Sequence, residues 1–105
     1  MTVVPKPQHK RRIPKRAKRG EFSKEVRQQV YERDRGLCQQ CGRRGEEIHH
    51  VKFKSRGGRG VFTNGLTLCH LCHKKVHMNG ELTEYWLDFF TDYYGPDFYK
   101  DEWDE

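Results

Sequence analysis

The chain has 105 residues and a net charge of +6, with 33% hydrophobic and 34% charged residues, which predicts one small domain whose apolar core needs a disulfide, a metal or a partner for stability. No segment approaches the roughly 20 apolar residues that span a membrane, and the N-terminus lacks the apolar segment of a secretion signal. We therefore expect a cytoplasmic protein with no membrane partner.

Charge divides the chain into three parts. Residues 1–20 carry eight Lys or Arg and no acid, which predicts a disordered basic arm. Residues 21–80 are expected to form the domain, and residues 81–105 an acidic aromatic helix and tail. The basic arm and domain favour nucleic acid as a partner, while solvation alone is the plainer interpretation of the charge.

The predicted elements alternate between helix and strand. "FSKEVRQQVYERDRG" is typical of a helix with Ser23 as N-cap and Gly36 at its end. "EEIHHVKFKS" and "VFTNGLTLC" are expected to pair as a β-hairpin around the loop "RGGRG". "HLCHKKVHMNG" predicts a short helix, and "LTEYWLDFFTDYYG" a second, aromatic helix capped by Thr83. The predicted fold class is α+β.

Two Cys-x-x-Cys turns enclose the hairpin, with 27 residues between them. Thiolates at this spacing can bind one tetrahedral Zn²⁺, and two such turns leave no open coordination position. We expect a structural zinc whose binding energy contributes to folding. A redox pair or disulfides are the alternatives, and the composition and the doubled spacing disfavour both. The predicted ligands are Cys38, Cys41, Cys69 and Cys72.

Five histidines fall close together in the same region. His73 and His77 lie at i and i+4 on one helix face, where they are either metal ligands or two exposed side chains. With His49 they offer three imidazoles, which is typical of an open transition-metal site. His50 lies next to His49 on a strand, so it points to the opposite face and is free to act as a base. His70 lies near the face of His73 and is the alternative ligand, but we favour His73 because the Cys-x-x-Cys turn fixes the direction of His70.

The order and spacing of these residues resemble the HNH endonuclease family. His49-His50, Asn64, His73 and His77 are separated by gaps of 14, 9 and 4 positions after His50. The flanking segments "VRQQVYERDRGLCQQCG" and "NGLTLCHLCHKKVH" resemble zinc-braced members, many of them carried by phages. The resemblance spans roughly residues 22–77. It implies a small ββα-metal (His-Me finger) domain with a four-cysteine structural zinc and flanking helices.

The resemblance also implies roles for the site residues. His50 would be the general base that activates water, and His49, His73 and His77 would bind the catalytic divalent metal, Mn²⁺, Ni²⁺, Zn²⁺ or Mg²⁺. Asn64 would either hold the hairpin loop in shape, which we favour, or bind the metal. His70 is not part of the family's motif. The implied reaction is hydrolysis of DNA phosphodiester bonds.

Four basic residues near the histidine pair, Lys52, Lys54, Arg56 and Arg59, are expected to contact phosphates, although plain surface charge is the alternative. Such contacts predict low sequence specificity. Phage terminase or other packaging proteins are candidate partners, in a host's cytoplasm if the gene is a phage's. The acidic C-terminal segment is expected to meet another basic protein or the chain's own arm. The rival hypothesis for the whole chain is a non-catalytic, zinc-stabilised module that binds nucleic acid.

Overall fold

A computed structural model describes residues 12–104 of the chain; residues 1–11 and 105 lie outside it. Within this range no helix is both long and apolar enough to cross a membrane. The secondary structure confirms the predicted α+β class. Its helices and strands are α1 (Arg16–Arg19), α2 (Lys24–Arg33), β1 (Glu47–His50), β2 (Gly65–Leu68), α3 (His70–Met78) and α4 (Gly80–Tyr94).

The two strands form the expected antiparallel hairpin, with His49 opposite Leu66 and His50 opposite Gly65. The second strand is shorter than predicted because Phe62–Asn64 form a 3₁₀ turn before it. Gly65 lets α2 approach the sheet, since a Cβ atom there would lie only 2.7 Å from Cγ2 of Val30. Helix α2 therefore packs directly on β2, beside the residue that pairs with His50 of β1.

Helix α2 begins as predicted, because the Ser23 hydroxyl accepts a hydrogen bond from the Val26 amide over 3.1 Å. It ends at Arg33, three residues before the expected stop at Gly36. Arg35 and Gly36 both have positive φ angles, 57° and 68°, which turn the chain away from the helix. Glycine adopts this conformation at little cost.

The predicted cap of the aromatic helix was wrong. Helix α4 begins at Gly80, and the Asn79 side chain accepts hydrogen bonds from the amides of Glu81 and Leu82. Thr83 lies inside the helix and donates its hydroxyl to the Val76 carbonyl over 2.6 Å. Asn79 is a stronger capping residue than threonine. It also ends α3, so one residue separates α3 from α4.

The core lies between the hairpin, α3 and α4. Trp86 and Phe90 bury one face of α4, while Tyr85 and Phe89 stay exposed on the other. Phe98 is only 5% exposed, so the C-terminal segment packs on the domain beyond the end of α4. The buried hydrophobic cluster contains Val51, Leu66, Leu68, Val76, Trp86, Phe90 and Phe98 together with three cysteines.

Part of the expected disordered arm of residues 1–20 lies within the described range. Its first eleven residues lie outside the described part of the chain. Arg16–Arg19 form the short helix α1, and Arg19 pairs with Asp101 and Asp104 near the other end of the chain. The basic segment therefore contacts the acidic segment of the same chain through ion pairs.

Candidate active site

The four cysteines form one cluster between the end of α2 and the start of α3. Their sulfur atoms all lie within 4.8 Å of one another, and no disulfide joins them. Sγ of Cys41 and Sγ of Cys69 are 3.7 Å apart. A tetrahedral zinc with Zn–S bonds of about 2.3 Å places its sulfurs about 3.8 Å apart. The cluster therefore has the donor type and spacing that suit zinc.

The thiols of this cluster affect one another's ionisation. Burial raises the pKa of Cys38, but hydrogen bonds from the backbone amides of Cys69, Cys41 and Gln40 outweigh it and lower this pKa to about 7. Burial and the neighbouring thiols raise the pKa of Cys72. One thiolate thus disfavours ionisation of the next thiol, and a divalent cation bound among them would stabilise the ionised forms.

Three imidazoles form a second cluster, built by β1 and α3. The ring of His49 lies 5.0 Å from that of His73 and 5.1 Å from that of His77. Nε2 of His73 and Nε2 of His77 are 3.2 Å apart. Ligands at about 2.0–2.1 Å from a tetrahedral metal would be about 3.3 Å apart. The three residues fit one divalent metal ion.

The protonation of these rings suits metal binding. Burial, and then the nearby His73, lower the pKa of His49 to about 3, and burial also lowers the pKa of His77. Both rings are therefore neutral near pH 7, which is the form that binds metal. Nδ1 of His49 is buried and has no hydrogen-bond partner among residues 12–104, as expected of a nitrogen that is available to bind a metal ion.

Glu47 orients the cluster, and the sequence analysis missed it. Its Oε1 atom lies 2.5 Å from Nδ1 of His73, so Nδ1 donates and Nε2 is left to face His77. Its Oε2 atom lies 2.9 Å from Nδ1 of His70, which engages His70 outside the three-histidine cluster. Metal-binding histidines commonly donate their second nitrogen to a carboxylate in this way. The sequence spacing pointed to this contact, because Glu47 is two residues before His49 and therefore lies on the same face of the strand.

His50 lies on the opposite face of β1. Its ring stacks on Phe22 with centroids 4.1 Å apart, and its Nε2 atom lies 2.5 Å from the Gly20 carbonyl oxygen. A carbonyl oxygen can only accept, so Nε2 carries the proton and Nδ1 keeps its lone pair. Burial lowers the pKa of His50, and the bond to Gly20 partly offsets this. The ring is therefore a neutral base near pH 7.

Asn64 is fully buried in the hairpin connection. Its side-chain oxygen accepts from the Lys52 amide over 2.7 Å, and its amide nitrogen donates to the carbonyls of Lys52 and Arg59. These bonds tie the two ends of the loop together. They fit the loop-shaping role better than metal binding, because the side-chain oxygen already accepts a backbone hydrogen bond.

The four basic residues expected to contact phosphates are not presented alike. Lys54 and Arg56 are exposed on the 3₁₀ turn Lys54–Arg56. Nζ of Lys52 instead lies 5.0 Å from the centre of the Tyr99 ring, and Arg59 is ion-paired with Asp104. The structure therefore leaves two of the four facing solvent and turns the other two toward the C-terminal segment.

Comparison with known proteins places both clusters in one family segment. Residues 38–79 match the family model described as HNH endonuclease, which confirms the resemblance seen in the sequence. The chain is also 28% identical over 69 residues to the type IV methyl-directed restriction enzyme EcoKMcrA of Escherichia coli strain K12. That alignment covers 56% of this chain and 25% of the relative, so the chain spans about a quarter of the relative's length.

Proposed function

We propose that this chain, which carries an HNH endonuclease domain at residues 38–79, is a metal-dependent endonuclease that hydrolyses DNA phosphodiester bonds. One observation carries the proposal. His49 and His50 are adjacent, yet His49 joins a three-imidazole cluster while His50 keeps an unprotonated nitrogen on the other face of β1. This arrangement supports His49 as a metal ligand and His50 as the base, on opposite faces of one short strand.

His50 is the general base of the proposed reaction. Its Nδ1 atom takes a proton from water as the water oxygen bonds to phosphorus and the bond from phosphorus to the 3′ oxygen breaks. The ring then becomes an imidazolium, and its Nε2–H bond to the Gly20 carbonyl becomes charge-assisted and stronger. The 2.5 Å contact therefore holds the ring in place and stabilises its charged form.

His49, His73 and His77 would hold the catalytic metal. When bound, a divalent ion supplies positive charge for the leaving oxygen and for a non-bridging oxygen of the phosphate. Imidazole ligands favour Mn²⁺, Ni²⁺ or Zn²⁺, whereas Mg²⁺ prefers oxygen ligands and would need water and substrate oxygens to complete its shell. The cysteine cluster takes a separate structural Zn²⁺, because its four ligands leave no open position.

The substrate contacts are proposed to be mainly to phosphates. Lys54 and Arg56 are exposed beside the hairpin, and phosphate contacts carry little sequence information. We therefore expect low sequence specificity and strong salt dependence. The relative is a restriction enzyme, and this supports DNA as the substrate class. A role in phage DNA packaging stays a prediction that rests on the resemblance to phage-carried nucleases.

The second candidate is a non-catalytic nucleic-acid-binding module stabilised by zinc. The cysteine cluster and the exposed Lys54 and Arg56 are all that such a module needs. It gives no role to a neutral His50 beside a separate three-histidine cluster, and for this reason we place it second.

Plasmid nicking separates the two functions. Purified protein is incubated with supercoiled plasmid and Mn²⁺, Ni²⁺ or Mg²⁺, beside His50→Ala, and a gel-shift assay follows DNA binding. An endonuclease nicks with at least one metal and loses activity in the variant. Binding without nicking under every metal would favour the module, and equal nicking by both proteins would remove His50 from the base role.

A further inference from the structure

We propose that four charged residues, Arg19, Arg59, Asp101 and Asp104, act as a clasp that positions His50 by holding the Gly20 carbonyl against its ring. The inference rests on the proposed function, because it assigns positioning residues to the proposed base. The clasp joins three parts of the chain: the end of α1, the hairpin loop and the C-terminal segment.

The clasp is a compact network of paired hydrogen bonds. Arg19 reaches Asp101 through Nε and Nη2, at 2.9 and 2.7 Å, and its Nη2 also reaches Asp104 at 3.0 Å. Arg59 reaches the same Asp104 through Nε and Nη2, at 3.1 and 3.0 Å. Two-point arginine–carboxylate contacts fix geometry as well as charge.

The carboxylates are themselves held in place by the C-terminal backbone. The Asp101 amide donates to Asp104 over 3.0 Å, and the Trp103 amide donates to Asp101 over 2.9 Å. The Arg59 amide donates to the Tyr99 carbonyl, which ties the hairpin loop to the same segment. Because each side chain is only 12–19% exposed, the four groups form a covered ion-pair cluster rather than a set of loose surface charges.

The clasp connects to His50 through one residue. Gly20 follows Arg19, and its carbonyl oxygen lies 2.5 Å from Nε2 of His50. The Gly60 amide donates to the Arg19 carbonyl over 2.8 Å. A Cβ atom on Gly60 would lie 1.9 Å from the Glu21 carbonyl oxygen, so the segment around Gly20 lies directly on the loop.

The local helix does little to secure this segment. Helix α1 has four residues, far below the length at which a helix is stable by itself in water. The segment also precedes the matched family region, which begins at residue 38. We infer that tertiary contacts, the clasp foremost, fix the position of Gly20. Without them the His50 ring can turn over or move its proton to Nδ1, which removes the basic lone pair.

A competing use of the two arginines is contact with DNA phosphates, with the two aspartates as occupants that DNA displaces. The low exposure of Arg19 and Arg59 and the backbone bonds that hold the aspartates favour the clasp. The two uses predict opposite effects of neutralising the aspartates, since a positioning role loses activity and a competing role gains it.

The test compares Asp101→Asn/Asp104→Asn with Asp92→Asn/Asp97→Asn, a control that changes the net charge equally at exposed positions. We expect the rate of plasmid nicking to fall about tenfold in the clasp variant and to stay near the wild-type rate in the control. A loss of about tenfold is part of the roughly hundredfold or more that a general base supplies. Zinc content and the thermal midpoint show whether each variant folds. If the clasp variant does not fold, Arg19→Lys is the milder variant, because it keeps the charge but not the two-point contact. Unchanged or faster nicking by the clasp variant would overturn the proposal.

A second readout does not depend on activity. ¹⁵N NMR of the imidazoles at alkaline pH, where His50 is neutral, reports which ring nitrogen carries the proton. We expect Nε2–H in the wild type and the control, and a mixture of tautomers in the clasp variant. An unchanged Nε2–H tautomer in the clasp variant would refute the positioning role. A wild type that never nicks DNA, together with a clasp variant that still shows the tautomer mixture, would refute the nuclease proposal and leave the positioning role standing.

Discussion

His49 and His50 leave β1 on opposite faces: the His49 ring lies 5.0 Å from that of His73, and the His50 ring stacks on Phe22 at 4.1 Å. This divergence follows from the two-residue period of a strand. It means that a substitution at either position changes one half of the site and leaves the other in place.

A variant that lacks the base and a variant that lacks a metal ligand should differ in how their rates depend on the leaving group. On DNA, His50→Ala should lower the rate by about 10²–10⁴-fold, and His73→Ala should also be severely impaired. On a phosphodiester with a nitrophenol leaving group, which departs without help, His73→Ala should recover much of its rate and His50→Ala should not. The measurement is initial rates of both variants on both substrates. Equal recovery of the two would mean that base and metal are not separate functions here.

Glu47→Gln should weaken the three-histidine metal site without disturbing the cysteine site. Glu47 accepts the Nδ1–H of His73 over 2.5 Å, and loss of such a carboxylate partner typically costs about 10–100-fold in metal affinity. Glu46→Gln is the matched control, because Glu46 is exposed one position earlier. Calorimetric titration with Ni²⁺ or Mn²⁺ into zinc-loaded protein measures the effect. Equal affinities of the two variants would contradict an orienting role for Glu47.

Removal of zinc should unfold the domain. The apparent binding free energy of a structural zinc, about 10–16 kcal/mol, is as large as the whole stability of an ordinary domain, about 5–15 kcal/mol. Circular dichroism should therefore show loss of helix after treatment with a strong chelator, and in Cys72→Ser without treatment. Zinc added back should restore the chelated wild type. Native helix content in verified metal-free protein would show that the core suffices.

Asn64→Ala should destabilise the domain by about 2 kcal/mol, because it leaves partly buried backbone groups of Lys52 and Arg59 without their partner. Asn79→Ala is the matched control at an exposed helix cap and should cost about 1 kcal/mol. Urea unfolding of the zinc-loaded proteins gives both values. A cost at Asn64 no larger than that at Asn79 would contradict the loop-tying role.

Acid should weaken the fold through the clasp carboxylates. Hydrogen bonds from Arg19 lower the pKa of Asp101, and hydrogen bonds from Arg59 lower the pKa of Asp104. The unfolded chain therefore binds more protons than the folded one as pH falls below about 4, the ordinary range of an aspartate, and the free energy of unfolding falls with pH there. The variant Asp101→Asn/Asp104→Asn should show a shallower loss than wild type over this range. Parallel curves would remove the clasp as a source of acid sensitivity.

The sequence predicted the parts of the site that depend on short spacing. Two Cys-x-x-Cys turns, an i, i+4 histidine pair and two adjacent strand residues each constrain direction within one element. The charge pattern included the basic arm among the expected partners of the acidic segment, but it could not predict which residues pair: Arg19 and Asp101 are separated by 82 positions, and Gly20 and His50 by 30. No local pattern encodes such pairings. The error at Thr83 had another origin, since two capping residues lay four positions apart and the stronger one, Asn79, began the helix.

The central claim is that His50 acts as the base of a metal-dependent endonuclease. Its most direct test is the rate of supercoiled plasmid nicking by wild type and His50→Ala, both with verified zinc content, across Mn²⁺, Ni²⁺ and Mg²⁺. We predict nicking by the wild type with at least one metal and a loss of at least about a hundredfold in the variant. No nicking under any metal, or equal rates for the two proteins, would contradict the claim.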